Sequence, residues 1–224
     1  MNYASRFAAV LSAVVLSGLI ATPQLVRAAS LFDQSVSATQ LKHDILARPA
    51  AELSATTEIS GKFLQRRYLS GLSRPLVSRG EFALAREQGI LWRTNEPFPS
   101  EFLLTAAGMT LRDGATETHV PQAERPALET ALEMLLAIFA LDVERLANSF
   151  ELYGLTQGDR WQVGLRPRNG GLAQVFERAV ISGERHVERI ELTSAGGDRT
   201  EIELSDVVTR TTALDAAEAA RFRQ

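Results

Sequence analysis

The chain has 224 residues, no cysteine and a formal net charge of −3 at pH 7. The lack of cysteine excludes disulfide bonds, thiolate metal sites, cysteine nucleophiles and the attachment of lipid to an amino-terminal cysteine. Acidic and basic residues alternate along the chain without a basic run. This composition argues against a protein that binds nucleic acid by neutralising phosphates.

The amino-terminal segment has the pattern of a signal peptide. Arg6 precedes an apolar run over residues 7–21, which is too short to span a bilayer and is soon followed by Pro23. Small residues around Ala28 predict cleavage after that residue. Residues 1–28 are therefore predicted to direct export. Residues 29–224 are predicted to form a single soluble domain, because this length favours one buried core over two.

The first elements of the mature chain are predicted to be one short helix and four strands. The helix covers residues 38–47, with Ser37 as its cap and Pro49 as its stop. Short runs rich in aromatic and branched residues then alternate with turns that contain glycine or proline. These runs predict strands over residues 61–69, 79–86, 89–94 and 101–105.

One long helix is predicted over residues 126–141. Pro126 suits a first helical position, because the N–H that proline lacks would have no partner there. The apolar residues of this helix cover a wide face, which requires a wide apolar partner surface. They are Leu128, Leu132, Leu135, Leu136, Ile138 and Phe139. We interpret the helix as a lid or a core helix, and predict a second short turn or helix over residues 142–148.

In the later half of the sequence, apolar and polar residues alternate as they do in a sheet with one solvent-exposed face. Trp161, Val163 and Leu165 share one face of a predicted strand, with polar residues or glycine between them. A hairpin follows, with its turn at residues 194–198. Its apolar residues are Ile190 and Leu192 on the first strand and Ile202 and Leu204 on the second.

An ordered set of residues along nearly the whole mature chain resembles the LolA lipoprotein-carrier family. The first part of the set is Phe63, Gln65, Gly80, Arg86, Trp92, Pro97, Thr105 and Gly108. The second part is Phe150, Trp161, Leu165, Pro167, residues 214–217 and Phe222. Each motif alone is weak, whereas the ordered set together with an export signal is much more specific. The family's arginine is usually followed by proline, and Glu87 stands there in this chain.

The resemblance implies an α+β, mainly antiparallel β fold: an unclosed half-barrel covered by helices, as in LolA and LolB. It also implies a periplasmic carrier that binds acyl chains in an apolar concavity and transfers them towards the outer membrane. The expected partners are the acyl chains of lipoproteins or other lipids, an inner-membrane donor complex and an outer-membrane acceptor. No cofactor, metal or nucleic acid is expected, and the protein is expected to act as a monomer. The chain stops two residues after Phe222, whereas the best-known carriers of the family continue with a further segment that helps to keep the cargo off the membrane. The cargo therefore stays open, and glycolipids and polyene-like lipids are alternatives to lipoproteins.

We predict a set of apolar residues that line the ligand cavity, although aromatic residues at such spacing are more often ordinary core. The set is Phe63, Phe82, Leu84, Trp92, Phe102, Leu104, Leu132, Leu135, Leu136, Phe139, Trp161, Val163, Leu165, Ile190, Leu192, Ile202 and Leu204. In the family the arginine that matches Arg86 hydrogen-bonds to the lid, which implies a latch. The alternative is that Arg86 lies at a strand end and reaches water.

Two other functions stay open. One is a lipid-responsive envelope signalling or assembly module that binds a partner protein. The other is a lipid or glycan hydrolase, although the chain has no GxSxG motif, no phosphate loop and no GxGxxG motif. His43, His119 and His186 are scattered along the chain without metal-ligand spacing. We therefore predict that the protein is not an enzyme.

Overall fold

Twelve strands form one antiparallel sheet in the computed structural model, which describes residues 30–121, 127–168, 173–174 and 176–222. The side chains of residues 121, 127–132 and 176 lie outside this description. The strands are β1 Ser35–Val36, β2 Glu58–Tyr68, β3 Leu76–Ala85, β4 Gly89–Glu96, β5 Ser100–Thr105, β6 Gly108–Asp113, β7 Thr116–Pro121, β8 Phe150–Gln157, β9 Arg160–Pro167, β10 Phe176–Gly183, β11 Val187–Ser194 and β12 Arg199–Arg210.

The sheet is open. Its strand order is β1-β8-β9-β10-β11-β12-β2-β3-β4-β5-β6-β7, so β1 and β7 are its two edges. Most neighbouring strands are consecutive in the chain and form hairpins, while the pairing of β2 with β12 joins the two halves. The predicted fold class, mainly antiparallel β with an unclosed sheet and few helices, is confirmed.

Five short α-helices and one π-helix accompany the sheet in the described part of the chain. They are α1 Ala38–Gln40, the π-helix Leu41–Ile45, α2 Ala47–Ser54, α3 Ala127–Ala140, α4 Val143–Ala147 and α5 Ala216–Ala220. Among the described residues, no helix has both the length and the apolar character that crossing a bilayer requires. The predicted signal peptide and the predicted helix start at Pro126 lie outside the described residues.

The predicted helix at residues 38–47 is correct at its start and wrong at its end. Ser37 caps α1 as expected, and the Gln40 side chain accepts a hydrogen bond from the Ser37 backbone in return. Pro49 does not stop the helical segment, because it lies in the first turn of α2. A missing N–H costs nothing in the first turn of a helix, where that N–H would have no intrahelical partner.

The predicted strands all exist, with ends shifted by a few residues. The hairpin of β11 and β12 has the expected partners, with Ile190 opposite Ile202. Strands β1, β6, β7, β8 and β10 had no counterpart in the prediction. Their apolar residues are fewer or interrupted, so tertiary pairing rather than local pattern determines them.

The two faces of the sheet are covered by different parts of the chain. The inner face carries the main apolar cluster, which packs against α2, α3 and α4. The outer face carries a smaller cluster under the carboxy-terminal segment, in which Phe222 is 4% exposed. This second cluster consists of Ala83, Ala85, Leu91, Leu103, Phe222 and the partly buried Leu214. The core therefore lies between the sheet and the helices, and the wider inner face positions the site described next.

Candidate functional site

A cavity of about 560 Å³ lies between the helices and the sheet, at the end where β2 begins and β3 ends. Its apolar wall comes from α2, α3 and two strands. The wall residues are Ala50, Leu53, Ile59, Leu84, Leu136, Ala137, Ala140 and Leu141. Its rim is polar and consists of Lys42, Ser54, Thr56, Thr57, Glu58, Arg86, Asp142, Glu144 and Arg145. A cavity with an apolar wall and a polar rim suits an amphiphilic molecule.

The chain reverses direction at Leu141 to bring α3 and α4 to the cavity. Leu141 has a φ of 52°, the left-handed conformation that usually favours glycine. Its N–H donates to the Ile138 carbonyl at 3.2 Å, and the Asp142 N–H donates to the Ala137 carbonyl at 2.9 Å. These two bonds form a Schellman motif. Leu141 is 4% exposed, so burial of its side chain in the cavity wall offsets the cost of the backbone conformation.

The helix that follows is short and starts with a side-chain cap. The Asp142 carboxylate accepts from the Arg145 N–H at 3.2 Å, which satisfies one of the free donors at the start of α4. Val143 and Leu146 of this helix are buried. The charged residues of α4 therefore stand at the rim while its apolar residues join the core.

Two of the rim cations are paired with carboxylates. Lys42 Nζ lies 2.9 Å from Glu144 Oε1, and Arg145 Nε lies 3.6 Å from Asp142 Oδ2. The hydrogen bond and the negative charge of Glu144 raise the pKa of Lys42 above its ordinary value. These two pairs leave little net charge on the side of the rim that the π-helix and α4 form.

Glu58 lies at the base of the rim and is nearly buried. Its side chain is 5% exposed, and its Oε1 accepts from Arg221 Nη2 at 2.7 Å. Arg210 Nε is 3.6 Å from the other carboxylate oxygen. This carboxylate is thus occupied by two arginines that reach it from the outer-face side of the cavity.

Arg86 stands at the rim beside Thr57 and has a neutral side-chain partner. Its backbone N–H donates to the Thr57 carbonyl at 3.0 Å, so the residue continues the pairing of β3 with β2 by one bond. Its Nη2 donates to the carbonyl of Leu53 in α2 at 3.4 Å. Within the described residues, no carboxylate oxygen lies within 4.0 Å of its guanidinium nitrogens. The side chain is exposed. The predicted latch role stays a prediction, and the observed bond is to α2.

The predicted cavity residues meet in one apolar cluster on the inner face. Ten of them are buried in that cluster: Phe63, Phe82, Leu84, Leu104, Phe139, Trp161, Val163, Leu165, Ile190 and Leu204. Six are partly buried and pack against it: Trp92, Phe102, Leu135, Leu136, Leu192 and Ile202. Leu132 belongs to α3, and its side chain lies outside the described part. The sixteen described members of the set thus share one apolar cluster, and their contact with a ligand stays a prediction.

Most of this set packs against itself instead of lining free space. The Phe63 and Trp92 rings stack with centroids 4.1 Å apart, and Phe139 of α3 lies 5.5 Å from Phe82. Within the set, Leu84 and Leu136 line the cavity, together with Arg86. Sequence reasoning missed the wall residues of α2 because it ended the helix at Pro49. The apolar spacing of Leu46, Ala50 and Leu53 was the signal that a helix continues past the proline.

His119 lies beside a threonine and His43 beside an aspartate. His119 Nδ1 lies 3.0 Å from Thr110 Oγ1, across the pairing of β6 with β7. His43 lies beside Asp44 at 3.7 Å, on the exposed side of the π-helix. Among the described residues, no group of three or more histidine, aspartate or glutamate side chains is placed to hold a metal ion.

No protein-family model matches the chain, and no curated protein matches its sequence. Solved structures do resemble it in fold. One is a LolA superfamily protein, NE2245 from Nitrosomonas europaea, with 9% identity and a TM-score of 0.39 over 76% of this chain and 96% of that one. Another is a domain from Vibrio parahaemolyticus described as outer membrane lipoprotein-sorting, with 10% identity and a TM-score of 0.41 over 83% and 98%.

A third similar structure is the MucA/MucB complex of Pseudomonas aeruginosa, with 14% identity and a TM-score of 0.44. The similarity covers 79% of this chain and 59% of the other, so the chain spans less than two thirds of that protein's length. At such identities these likenesses concern the fold alone. The cavity and its rim are properties of this chain's own residues.

Proposed function

We propose that the chain is a periplasmic carrier that binds the acyl chains of lipids or lipoproteins and transfers them towards the outer membrane. The observation that supports this most is the cavity of about 560 Å³ between an open apolar sheet face and the helices. Its wall is aliphatic, and its rim carries charged side chains that reach solvent. A hydrocarbon chain fits the wall, and a polar head group fits the rim.

The free energy of binding would come from the methylene groups that the cavity removes from water. Burying a methylene group contributes about 0.8 kcal/mol, so ten buried methylenes contribute about 8 kcal/mol before the cost of association. A carrier requires affinity that holds the chain during transit and still allows release. Direction follows from the relative affinities of donor, carrier and acceptor, and no covalent chemistry is required.

Larger cargo requires part of the helical cover to move. Leu135 and Leu136 of α3 are partly buried against the core, whereas the neighbouring Phe139 is buried against Phe82. Displacement of α3 would expose the packed aromatic residues of the inner face as additional binding surface. The aromatic residues of the predicted set would then contact ligand in the loaded protein, and not in the state seen here.

Localisation and partners complete the proposal. The pattern of residues 1–28 supports export with cleavage after Ala28. In the periplasm the protein would accept its cargo from an inner-membrane complex and deliver it to an outer-membrane acceptor. We propose that it acts as a monomer, since the cavity is formed within one chain.

The test is to measure bound lipid when the cavity is filled. Ala140 is partly buried in the wall at the end of α3. We expect Ala140→Phe to occupy much of the cavity and to lower the amount of lipid that co-purifies with the exported protein at least about fivefold, since a one-kcal/mol change in binding corresponds to about that factor. Native mass spectrometry of the purified protein, followed by lipid extraction, measures this amount.

Ala217→Phe is the matched control, because Ala217 lies on α5 and is exposed. It should leave the bound lipid unchanged. Wild-type protein that carries no lipid after export and takes up none from vesicles would contradict the carrier proposal. Capture of a partner protein by such a lipid-free chain would instead favour the signalling or assembly alternative.

A further inference from the structure

We propose that the cavity takes a single-chain amphiphile with an anionic head group, and that Arg86 binds this head group. The inference rests on the proposed lipid-binding function and specifies its ligand. It assigns Arg86 a contact with the cargo in place of a bond to the lid. A long-chain carboxylate is the simplest molecule of this class.

The size of the cavity indicates one chain. A water molecule occupies about 30 Å³ of liquid, and a methylene group is of similar size. The volume of about 560 Å³ is on the order of twenty such groups. This is enough for one long hydrocarbon chain. The two or three chains of a diacyl or triacyl lipid would need the cover to open further.

The charges of the rim indicate the sign of the head group. Lys42 and Arg145 each have a carboxylate partner, and the buried carboxylate of Glu58 is itself paired with Arg221. Within the part of the chain that the structure describes, Arg86 is the rim cation that lacks a carboxylate partner. An anion that enters the rim thus gains a full positive charge at Arg86 without breaking an ion pair.

The geometry of Arg86 suits an exchange of partners. Its backbone is held by the bond to Thr57, so its side chain starts from a fixed position beside Leu84 and Leu53 of the wall. The present bond from the guanidinium to the Leu53 carbonyl is long, at 3.4 Å, and its acceptor is neutral. Hydrogen bonds between an arginine and a carboxylate or phosphate are shorter and about twice as strong. A bound anion would therefore displace the carbonyl.

The test compares hexadecanoate with hexadecan-1-ol, which has the same chain and a neutral head. Titration calorimetry or displacement of a fluorescent fatty probe at pH 8 measures both affinities with the delipidated full-length mature protein. We expect Arg86→Gln to weaken hexadecanoate binding about tenfold, as the loss of one charged hydrogen bond implies. The same variant should leave hexadecan-1-ol binding within about twofold. Arg86→Lys should retain part of the preference for the carboxylate.

Arg79→Gln is the matched control, because Arg79 lies in β3, carries the same charge and does not line the cavity. It should change neither affinity. Thermal melts of each variant show whether it folds. If Arg86→Gln does not fold, Arg86→Lys takes its place as the test variant. Inorganic phosphate alone should not bind measurably, because it lacks a chain.

The outcomes separate this inference from the proposed function. Equal binding of both ligands, or an unchanged carboxylate preference in Arg86→Gln, overturns the head-group role and leaves lipid binding intact. Binding of dihexadecanoyl phosphatidic acid as tight as that of hexadecanoate overturns the single-chain preference. Failure to bind any of these amphiphiles contradicts the carrier proposal itself.

Discussion

Gly80 shows how closely β3 approaches its neighbours on the inner face. A β-carbon at this position would collide with the carbonyl oxygen of Arg93 and would come within 2.9 Å of the Phe63 ring. Arg93 belongs to the adjacent strand, and backbone cannot move aside as a flexible side-chain end can. The position therefore requires glycine because of space and not because of its φ angle.

We expect Gly80→Ala to lower the free energy of unfolding by about 3 kcal/mol, at the upper end of what overpacking costs. Urea unfolding followed by tryptophan fluorescence measures it. Gly196→Ala is the control, because its β-carbon would meet only the Ser194 hydroxyl at 3.9 Å. An equal loss of stability in the two variants would show that the close approach at Gly80 is not what matters.

Glu101 illustrates how charge affects stability at a single residue. Burial alone would raise the pKa of this carboxyl, but the hydrogen bonds and charges of Arg93 and Arg112 outweigh burial and hold the pKa below its ordinary value. The three residues lie on adjacent strands, with Oε2 of Glu101 2.6 Å from Arg93 Nη2 and Oε1 2.6 Å from Arg112 Nη1. The ionised form is thus bound more tightly in the folded state.

A lowered folded-state pKa contributes stability above the unfolded pKa, about 4.3 for glutamate, and this contribution is lost as the pH falls through the folded value. We expect Glu101→Gln to lower the melting temperature at pH 7 and to reduce its decline between pH 5 and pH 3. Calorimetry across this range is the measurement. Glu96→Gln is the control, since its pair with Arg79 is exposed and long at 3.4 Å. An unchanged pH profile in Glu101→Gln would refute the assignment.

At the scale of elements, α5 has five residues and is too short to be stable alone. Asp215 and Glu218 form its capping box, and its last residues attach it to the sheet. Phe222 packs on the outer-face cluster, and Arg221 reaches Glu58 at the start of β2. Tertiary contacts therefore hold this helix, and they also hold the buried carboxylate beside the cavity.

We expect Arg221→Ala to lower the free energy of unfolding by about 1–3 kcal/mol, because it leaves a buried carboxylate short of one partner. Arg210, whose Nε lies 3.6 Å from Glu58 Oε2, still offsets part of the buried charge. Urea titration gives the value, and Arg48→Ala provides the comparison, since Arg48 makes an exposed pair within α2. Equal losses of unfolding free energy in the two variants would show that the burial of Glu58 does not affect stability.

The cavity itself is an effect of elements and not of any single residue. The Schellman motif at Leu141 sets the direction of α4, and Pro49 lies in the first turn of α2, where a local rule places a stop. Neither event has a strong local signature, because leucine rarely takes the C′ position and proline is usually read as a breaker. Of the helices around the cavity, α2 was for this reason the one that the sequence did not predict, whereas α3 and α4 lie close to the predicted ranges 126–141 and 142–148.

At the scale of the whole molecule, the open sheet depends on one long-range junction. Strand β12 pairs with β2 over most of its length, with Leu204 opposite Phe63, although the two strands lie far apart in the chain. This junction makes one continuous inner face from two runs of hairpins, and it unites Trp161 and Phe82 in the same apolar cluster. The sheet leaves two unpaired edges, β1 and β7, in the described part of the chain.

The sequence by itself determined the hairpin of β11 and β12 and which side chains face inward, and its resemblance to a known family implied the fold class. Periodicity is a local property, and strand residues two apart must share a face wherever the strand lies. The tertiary structure alone decided where free space remains on that face. Packing fills most of it with Phe63, Trp92 and Phe82, and leaves a cavity at α2 and α3 because cavities depend on how distant surfaces meet.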